Sequence, residues 1–339
     1  MKQYRLVFAG ALAMSIGASA AHAADKKFNL RLSYWVPPVH KLTPGYKEWA
    51  ESLNKATDGS IAVTLFPSSQ LGSGPDHYDM VKRGVADMGL INPGYTPGRF
   101  PVLATSDLPF LISDGLRAAP ALTRWYKKYA AKEMPEHYVC HVFTHEPGTF
   151  HSRKEIRVPE DVKGLNIRTA NQTIATYVTS MGGNSVQVPI MEAYETLKRG
   201  ITDGITVPWG GIITFKFGTV TKYTLDTSLY VATFSHGISR KTYDSMSPAQ
   251  RKAVDSHCTP EWAAKIYRHW YAQEYDLRKK IRAMDRVFTK IGPAEIAQWR
   301  KAAEPVKASW REAVAKAGHN PDEVLGGLEA ELKKADAAF

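Results

Sequence analysis

The chain has 339 residues, 44% of them hydrophobic and 23% charged, with a formal net charge of +11. That length allows two ordinary domains, and the composition excludes a disordered or low-complexity protein. Its basic residues are spread along the chain rather than gathered into a basic–aromatic strip, which argues against a nucleic-acid partner, while a mild positive excess favours the approach of anions.

Lys2 and Arg5, an apolar run from Leu6 to about Ala18, and the triplet Ala21-His22-Ala23 predict a cleavable secretory signal over residues 1–23. The run is short for a membrane span, and nothing after it is long and apolar enough to be one. Export to an oxidising compartment permits a disulfide. Cys140 and Cys258 are the two cysteines. Two large domains do not need a staple, so the unbridged form is favoured and the pairing stays open.

Phe28 to Trp35 predicts a first strand, followed by the stiff loop Val36-Pro37-Pro38-Val39-His40. Thr43 as N-cap and Pro44 at the first helical position open a helix with Tyr46, Trp49, Ala50 and Leu53 on one face, stopped at Asp58-Gly59. A strand to Phe66, a short helix from Asp76 to Arg83 and a strand to Ile91 follow, broken by Asn92-Pro93-Gly94-Tyr95. Asp114 caps a helix to about Glu133. His137 to Thr144 is a long strand and a candidate crossing between domains. Beyond the turn at Pro147-Gly148 come a short strand ending at Arg168, a helix from Gln172, a strand at 184–188, a helix from Met191 and a strand ending near Pro208. Leu229 to Ser239 is a long return strand. The remainder reads as helices: one long one from Ser247-Pro248 past Ile281, one from Pro293 through Val314, and one from Asn320. This alternation predicts layered α/β packing. The expected division is a first lobe over 24–145, a second over 146–235, and a return strand with bracing helices over 236–339.

One internal match is informative. His77-Tyr-Asp-Met-Val-Lys-Arg-Gly84 and Ala193-Tyr-Glu-Thr-Leu-Lys-Arg-Gly200 share Tyr, Lys, Arg and Gly at the same spacing. Each continues through an Asp, Asp87 or Asp203, into an apolar strand. The match predicts two lobes built on one helix–Gly–strand–loop unit. Ligands of open α/β sheets bind beyond the C-terminal ends of strands, so Gly94-Tyr95 is expected to face Trp209-Gly210 across a hinged cleft.

No G-x-S-x-G, P-loop, G-x-G-x-x-G or H-E-x-x-H is present. His141 and His145 lie four apart on a predicted strand, where that spacing is no helical metal pair, and no metal or cofactor is expected. No acid–base pair suggests catalysis. Two side chains stand out instead. Arg168 at a strand end offers a fork of donors that fits a carboxylate, and Trp209 at another offers an apolar wall.

The sequence resembles the solute receptors of tripartite ATP-independent periplasmic (TRAP) transporters, the DctP-like family. The resemblance rests on Thr57-Asp-Gly-Ser-Ile61, Phe66-Pro67 with Gln70-Leu71-Gly72, Arg83-Gly84-Val-Ala-Asp-Met88, Asp107-Leu-Pro-Phe110, Pro159-Glu-Asp-Val-Lys-Gly-Leu-Asn-Ile-Arg168, and Gly182-Gly183 with Val188-Pro189. It implies a type II-like clamshell of two α/β lobes with hinge strands and long C-terminal helices. It also implies a monomeric periplasmic receptor that hands a small organic acid to a membrane permease and is no enzyme. In the family, the Arg of Gly-Leu-x-Ile-Arg clamps the ligand carboxylate, which falls on Arg168. There are departures. Many sugar-acid receptors carry Glu and Asn where Thr206 and Val207 stand. Gly210 replaces a Glu found after Pro-Trp, Ser239 replaces a frequent Asn, and no second ligand-facing Arg is evident around 148–153. The expected ligand is therefore a monocarboxylate with an apolar or aromatic body, since unpaired hydroxyls would be costly. Tyr95, Asn171, His151, Gly94, Phe234, His40 and Trp35 are the further expected lining residues. An exported lyase or hydrolase on the same clamshell, or a sensor presenting its ligand, are the alternatives.

Overall fold

The structure, a computed structural model, describes residues 26–339; the signal expected at 1–23 lies outside them. Eleven strands are formed: β1 (Phe28–Ser33), β2 (Ile61–Phe66), β3 (Met88–Ile91), β4 (His137–Thr144), β5 (Thr149–Ser152), β6 (Asn166–Arg168), β7 (Asn184–Val186), β8 (Gly204–Val207), β9 (Tyr223–Leu225), β10 (Thr233–Ser239) and β11 (Val287–Thr289). They build two sheets, ordered β2-β1-β3-β10-β4 and β11-β9-β5-β8-β6-β7. Each sheet is the floor of one lobe.

The two lobes repeat one unit. In the first, β1 lies between β2 and β3, all parallel. In the second, β6 lies between β7 and β8, again parallel. An antiparallel strand then follows each third strand, β10 beside β3 and β5 beside β8. The matched helices, His77–Arg83 and Ala193–Lys198, end alike. Gly84 (φ 76°) and Gly200 (φ 72°) take left-handed backbone that a side chain would strain. Val85 N then donates to Met80 O and Ile201 N to Thr196 O, both at 2.9 Å. Asp87 Oδ2 accepts from Arg31 N (3.0 Å), and Asp203 Oδ2 accepts from Asn166 N (2.9 Å). Arg31 and Asn166 are therefore equivalent, which makes Ser33 the first-lobe counterpart of Arg168.

Two extended segments cross between the lobes, from β4 to β5 and from β9 to β10. The crossings run antiparallel and touch at Gly148 and Tyr230. Gly148 N donates to Tyr230 O (2.8 Å) and Leu229 N to Gly148 O (2.9 Å). A Cβ at Gly148 would meet Tyr230 Cε1 at 2.9 Å and Val207 C at 3.0 Å, so only glycine allows this approach. Thr233–Ser235, expected in the second lobe, pair with β3 and β4 in the first sheet.

Helix boundaries depart from the sequence reading chiefly where proline or a polar cap intervenes. The helix expected from Ser247 past Ile281 is two, Pro248–His257 and Pro260–Arg282. Pro260 has no N–H to continue the ladder, and Thr259 caps the second helix through Trp262 N (3.3 Å). Likewise Pro293–Ala302 and Glu304–Lys316 are separate, with Pro305 at the start of the second; Gly115–Tyr126 and Ala130–Glu133 are separate as well, with neither proline nor side-chain cap at the break. The first helix starts at Leu42, so Thr43 is no cap; its hydroxyl pairs with Tyr34 Oη (3.1 Å).

The break at 258–259 has a consequence. It presents Cys258 to Cys140 on β4, and the two form a disulfide, against the unbridged form favoured from sequence. Pro260–Arg282 then spans both lobes. Its N-terminal half packs on Leu42–Ala56, where Gly45 lies against the Ile266 backbone. Its C-terminal half reaches the second lobe through Arg282 Nη1 and Nη2, which donate to the Asp226 carboxylate at 2.7 and 2.6 Å.

The disulfide closes a loop across 118 residues, so replacing both Cys140 and Cys258 with Ala is expected to cost about 2–4 kcal/mol. A urea-unfolding midpoint equal to that of the parent would show the staple to be redundant.

Candidate functional site

A cavity opens between the lobes at the C-terminal ends of β3, β6 and β8, the place where open α/β sheets bind ligands. Arg168 provides its charge. The side chain is 2% exposed. Nε and Nη2 donate to Val188 O at 3.0 and 2.9 Å, which holds the fork in one orientation. Among the described residues no carboxylate pairs with this guanidinium, and Nη1 has no protein partner. A buried cation without a counter-ion is costly, and here it borders empty space.

The remaining wall is mostly aromatic and apolar. Trp35 approaches Tyr95 (5.6 Å between centroids) and Phe234 (5.9 Å), and Phe234 approaches Trp270 (5.9 Å). These rings come from the loops after β1 and β3, the start of β10 and the long helix. Thr206, Val207 and Pro208 line the second-lobe side. Thr206 Oγ1 is already engaged, accepting from Ala170 N (3.1 Å). Tyr95 Oη spans the cleft and accepts from Ile190 N (3.2 Å).

Two histidines border the cavity without adding charge. His40 packs edge-on against Trp270 (4.7 Å), and Leu42 N donates to its Nδ1 (3.2 Å). Burial lowers its pKa to about 3. His145 sits on the hinge. Its Nε2 accepts from Ala232 N (3.0 Å), which leaves Nδ1 to donate to Glu146 O (2.7 Å). Burial lowers its pKa to about 4. Both rings are neutral at ordinary pH.

Of the residues expected from sequence, the structure gathers Arg168, Tyr95, Phe234, His40 and Trp35 at the cavity. Four lie elsewhere. Trp209 is turned behind the second sheet. It stacks on Phe288 (5.4 Å, 1° between planes), and Arg278 and Arg282 cover it, each 4.6 Å from the ring centroid. The chain turns at Pro208 into the helical segment Gly211–Thr214, and that turn aims the indole away. His151 is buried in the sheet with Nδ1 at 3.0 Å from Thr224 Oγ1 and Nε2 at 3.2 Å from Val207 O. Asn171 caps the helix Gln172–Ser180 by accepting from Ile174 N (2.8 Å). Gly94 meets Asn171 rather than Trp209-Gly210: a Cβ there would lie 2.2 Å from Asn171 Cβ. Gly210 packs against Glu274, whose Oε2 accepts from Gly210 N (2.7 Å) and whose carboxylate fills the space a side chain would need. Ser239 lies at the far end of β10.

Sequence reasoning missed Trp270, His145, Tyr230, Asn92 and Ile190 as lining residues. Trp270 lies on a helix whose apolar stripe looks like that of any core helix. His145 and Tyr230 belong to the crossings, whose contact requires the folded sheets. Cys140, His141 and His236 place ligand-type atoms within 4.8 Å of one another, but the Cys140 sulfur is bonded to Cys258, so no thiolate is available to a metal.

Residues 32–313 match the bacterial extracellular solute-binding proteins of family 7, DctP. The chain belongs to that family. It is a TRAP solute receptor, and its family and structural neighbours are substrate-binding receptors rather than enzymes. The Escherichia coli K12 2,3-diketo-L-gulonate-binding periplasmic protein YiaO is 27% identical over 75% of this chain and 76% of its own. A TRAP solute-binding protein from Rhodoferax ferrireducens T118, solved with copurified benzoate, superposes with a TM-score of 0.85 at 25% identity, covering 91% of this chain and 99% of that one. One from Bordetella bronchiseptica, solved with bound (R)- and (S)-mandelate, gives 0.84 at 26% identity over 91% and 99%. Among the described residues no helix is long and apolar enough to cross a membrane.

Two outcomes are expected. Gly94→Val should hold the lobes apart at the Asn171 contact, so small-angle scattering should give a larger radius of gyration than for the parent. An unchanged radius would show that this contact does not limit closure. The imidazole resonances of His40 and His145 should stay unmoved between about pH 5.5 and 8, because burial disfavours their charged forms. A midpoint near 6.5 for either would contradict the neutral assignment.

Proposed function

We propose that the protein captures a monocarboxylate with an aromatic body in this cavity. It does so as a monomeric periplasmic receptor, exported through its N-terminal signal, and delivers the acid to a TRAP permease. The observation that carries the reading is the buried Arg168 guanidinium, which faces a cavity walled by Trp35, Phe234 and Trp270 and lacks a carboxylate partner among the described residues. A ligand carboxylate would supply the counter-charge, with both N–H groups of Nη1 and the second N–H of Nη2 as the remaining donors of the fork. The ring would exchange water for flat apolar walls.

The family includes receptors of different chemistry, so membership alone does not choose among ligands. YiaO is named for a hydroxyl-rich sugar acid, whereas the Rhodoferax and Bordetella proteins hold benzoate and mandelate. The cavity favours the second group. Its histidines are neutral and tied to backbone, Thr206 Oγ1 is engaged, and Val207 and Pro208 offer no side-chain polar group. A sugar acid would bury hydroxyls with few partners, at about 1–3 kcal/mol for each one left unsatisfied.

Benzoate, 3-hydroxybenzoate and mandelate are expected to raise the melting temperature, because a ligand of the native state stabilises it, while glucuronate should not. Arg168→Ala should weaken benzoate binding by about 100-fold or more, the cost of losing a buried charge-assisted pair. Shifts confined to hydroxyl-rich acids, or an Arg168→Ala affinity within a few-fold of the parent, would contradict the proposal.

A further inference from the structure

Tyr230 lies on the crossing between β9 and β10. Its backbone is bonded to Gly148 of the other crossing, and its side chain lines the cavity. The phenol oxygen is buried and makes no hydrogen bond among the described residues. Thr206 is its polar neighbour and acts to lower the phenol pKa, but no hydrogen bond joins the two hydroxyls among the described residues, and Thr206 Oγ1 accepts from Ala170 N. Burial pushes the phenol above its ordinary range and the nearby Arg168 charge acts the other way, so the group remains an O–H donor. A buried donor without an acceptor is a cost the fold retains, and this one stands beside the one buried cation of the cavity lining.

We propose that Tyr230 Oη is a second donor to the bound acid, giving its O–H to one carboxylate oxygen while Arg168 Nη1 donates to the other. The inference rests on Arg168 binding a carboxylate, and it adds a function to the pair. Arg168 belongs to β6 of the second lobe, whereas Tyr230 belongs to the hinge. A carboxylate held by both ties the second lobe to the crossing that must bend when the lobes part. Tyr230 thus selects for an acceptor oxygen and couples its capture to the closed geometry. Ala232, two residues on, is fixed by His145 Nε2, so the phenol hangs from backbone restrained on both sides.

The test compares Tyr230→Phe with the parent by calorimetric titration with benzoate and by melting of the unliganded proteins. The variant is expected to bind benzoate about 5–30-fold more weakly, with an unliganded melting temperature equal to or above that of the parent, because the substitution removes a buried hydroxyl with no partner. A phenol bonded only to protein would give the reverse, a lower melting temperature with affinity unchanged, and would overturn the proposal. Unchanged affinity, within twofold, at any melting temperature would do the same. Failure of the parent to bind benzoate, 3-hydroxybenzoate or mandelate would remove the aromatic-acid reading on which this inference rests. Parent binding with an unaffected variant removes only the role of Tyr230.

Discussion

The buried guanidinium of Arg168, without a carboxylate partner among the described residues, sets the terms for the rest of the molecule. A charge removed from water without a counter-ion is tolerated only where structure holds it and something later neutralises it. The Val188 carbonyl does the holding, through two of the three guanidinium nitrogens. It fixes the plane of the fork and leaves Nη1 without a protein partner. The neutral histidines, the engaged Thr206 and the aromatic walls are what support the proposed ligand, an anion with a flat apolar body.

The repeated unit explains how one charge comes to dominate a two-lobed site. The Asp87 and Asp203 carboxylates occupy the same place in their lobes, each bonded to a backbone N–H of the central strand. Two residues further along those strands, one lobe carries Ser33 and the other Arg168. Ser33 is turned to local use, 3.3 Å from His77 Nε2, while Arg168 faces the cleft. The first lobe contributes rings instead, with Trp35, Tyr95 and Phe234 at the ends of its strands. Symmetry of fold thus carries asymmetry of function, with a charged jaw and an aromatic jaw joined by two extended crossings and the long helix.

Much of this was legible in the sequence because local chemistry decides it. Gly84 and Gly200 mark left-handed helix ends, the Lys-Arg-Gly match marks the repeated unit, and Arg168 stands at the end of its strand. What could not be read depends on distant packing. Trp209 directly follows the lining residues Thr206, Val207 and Pro208, yet the bend at Pro208 aims it at Phe288 and two arginines of the long helix. Trp270 looks like any core residue on an apolar stripe, and becomes a cavity wall only because its helix spans both lobes. The Cys140–Cys258 bridge depends on a helix break that places two remote residues together. In each case the deciding contact joins residues far apart in the chain.

The central claim is that one carboxylate replaces the missing counter-ion of Arg168. A crystal structure of the protein with benzoate tests it most directly. A carboxylate oxygen is predicted within hydrogen-bonding distance of Arg168 Nη1, with the ring between Trp35, Phe234 and Trp270. Benzoate bound with its carboxylate away from Arg168, or outside this cavity, would contradict it.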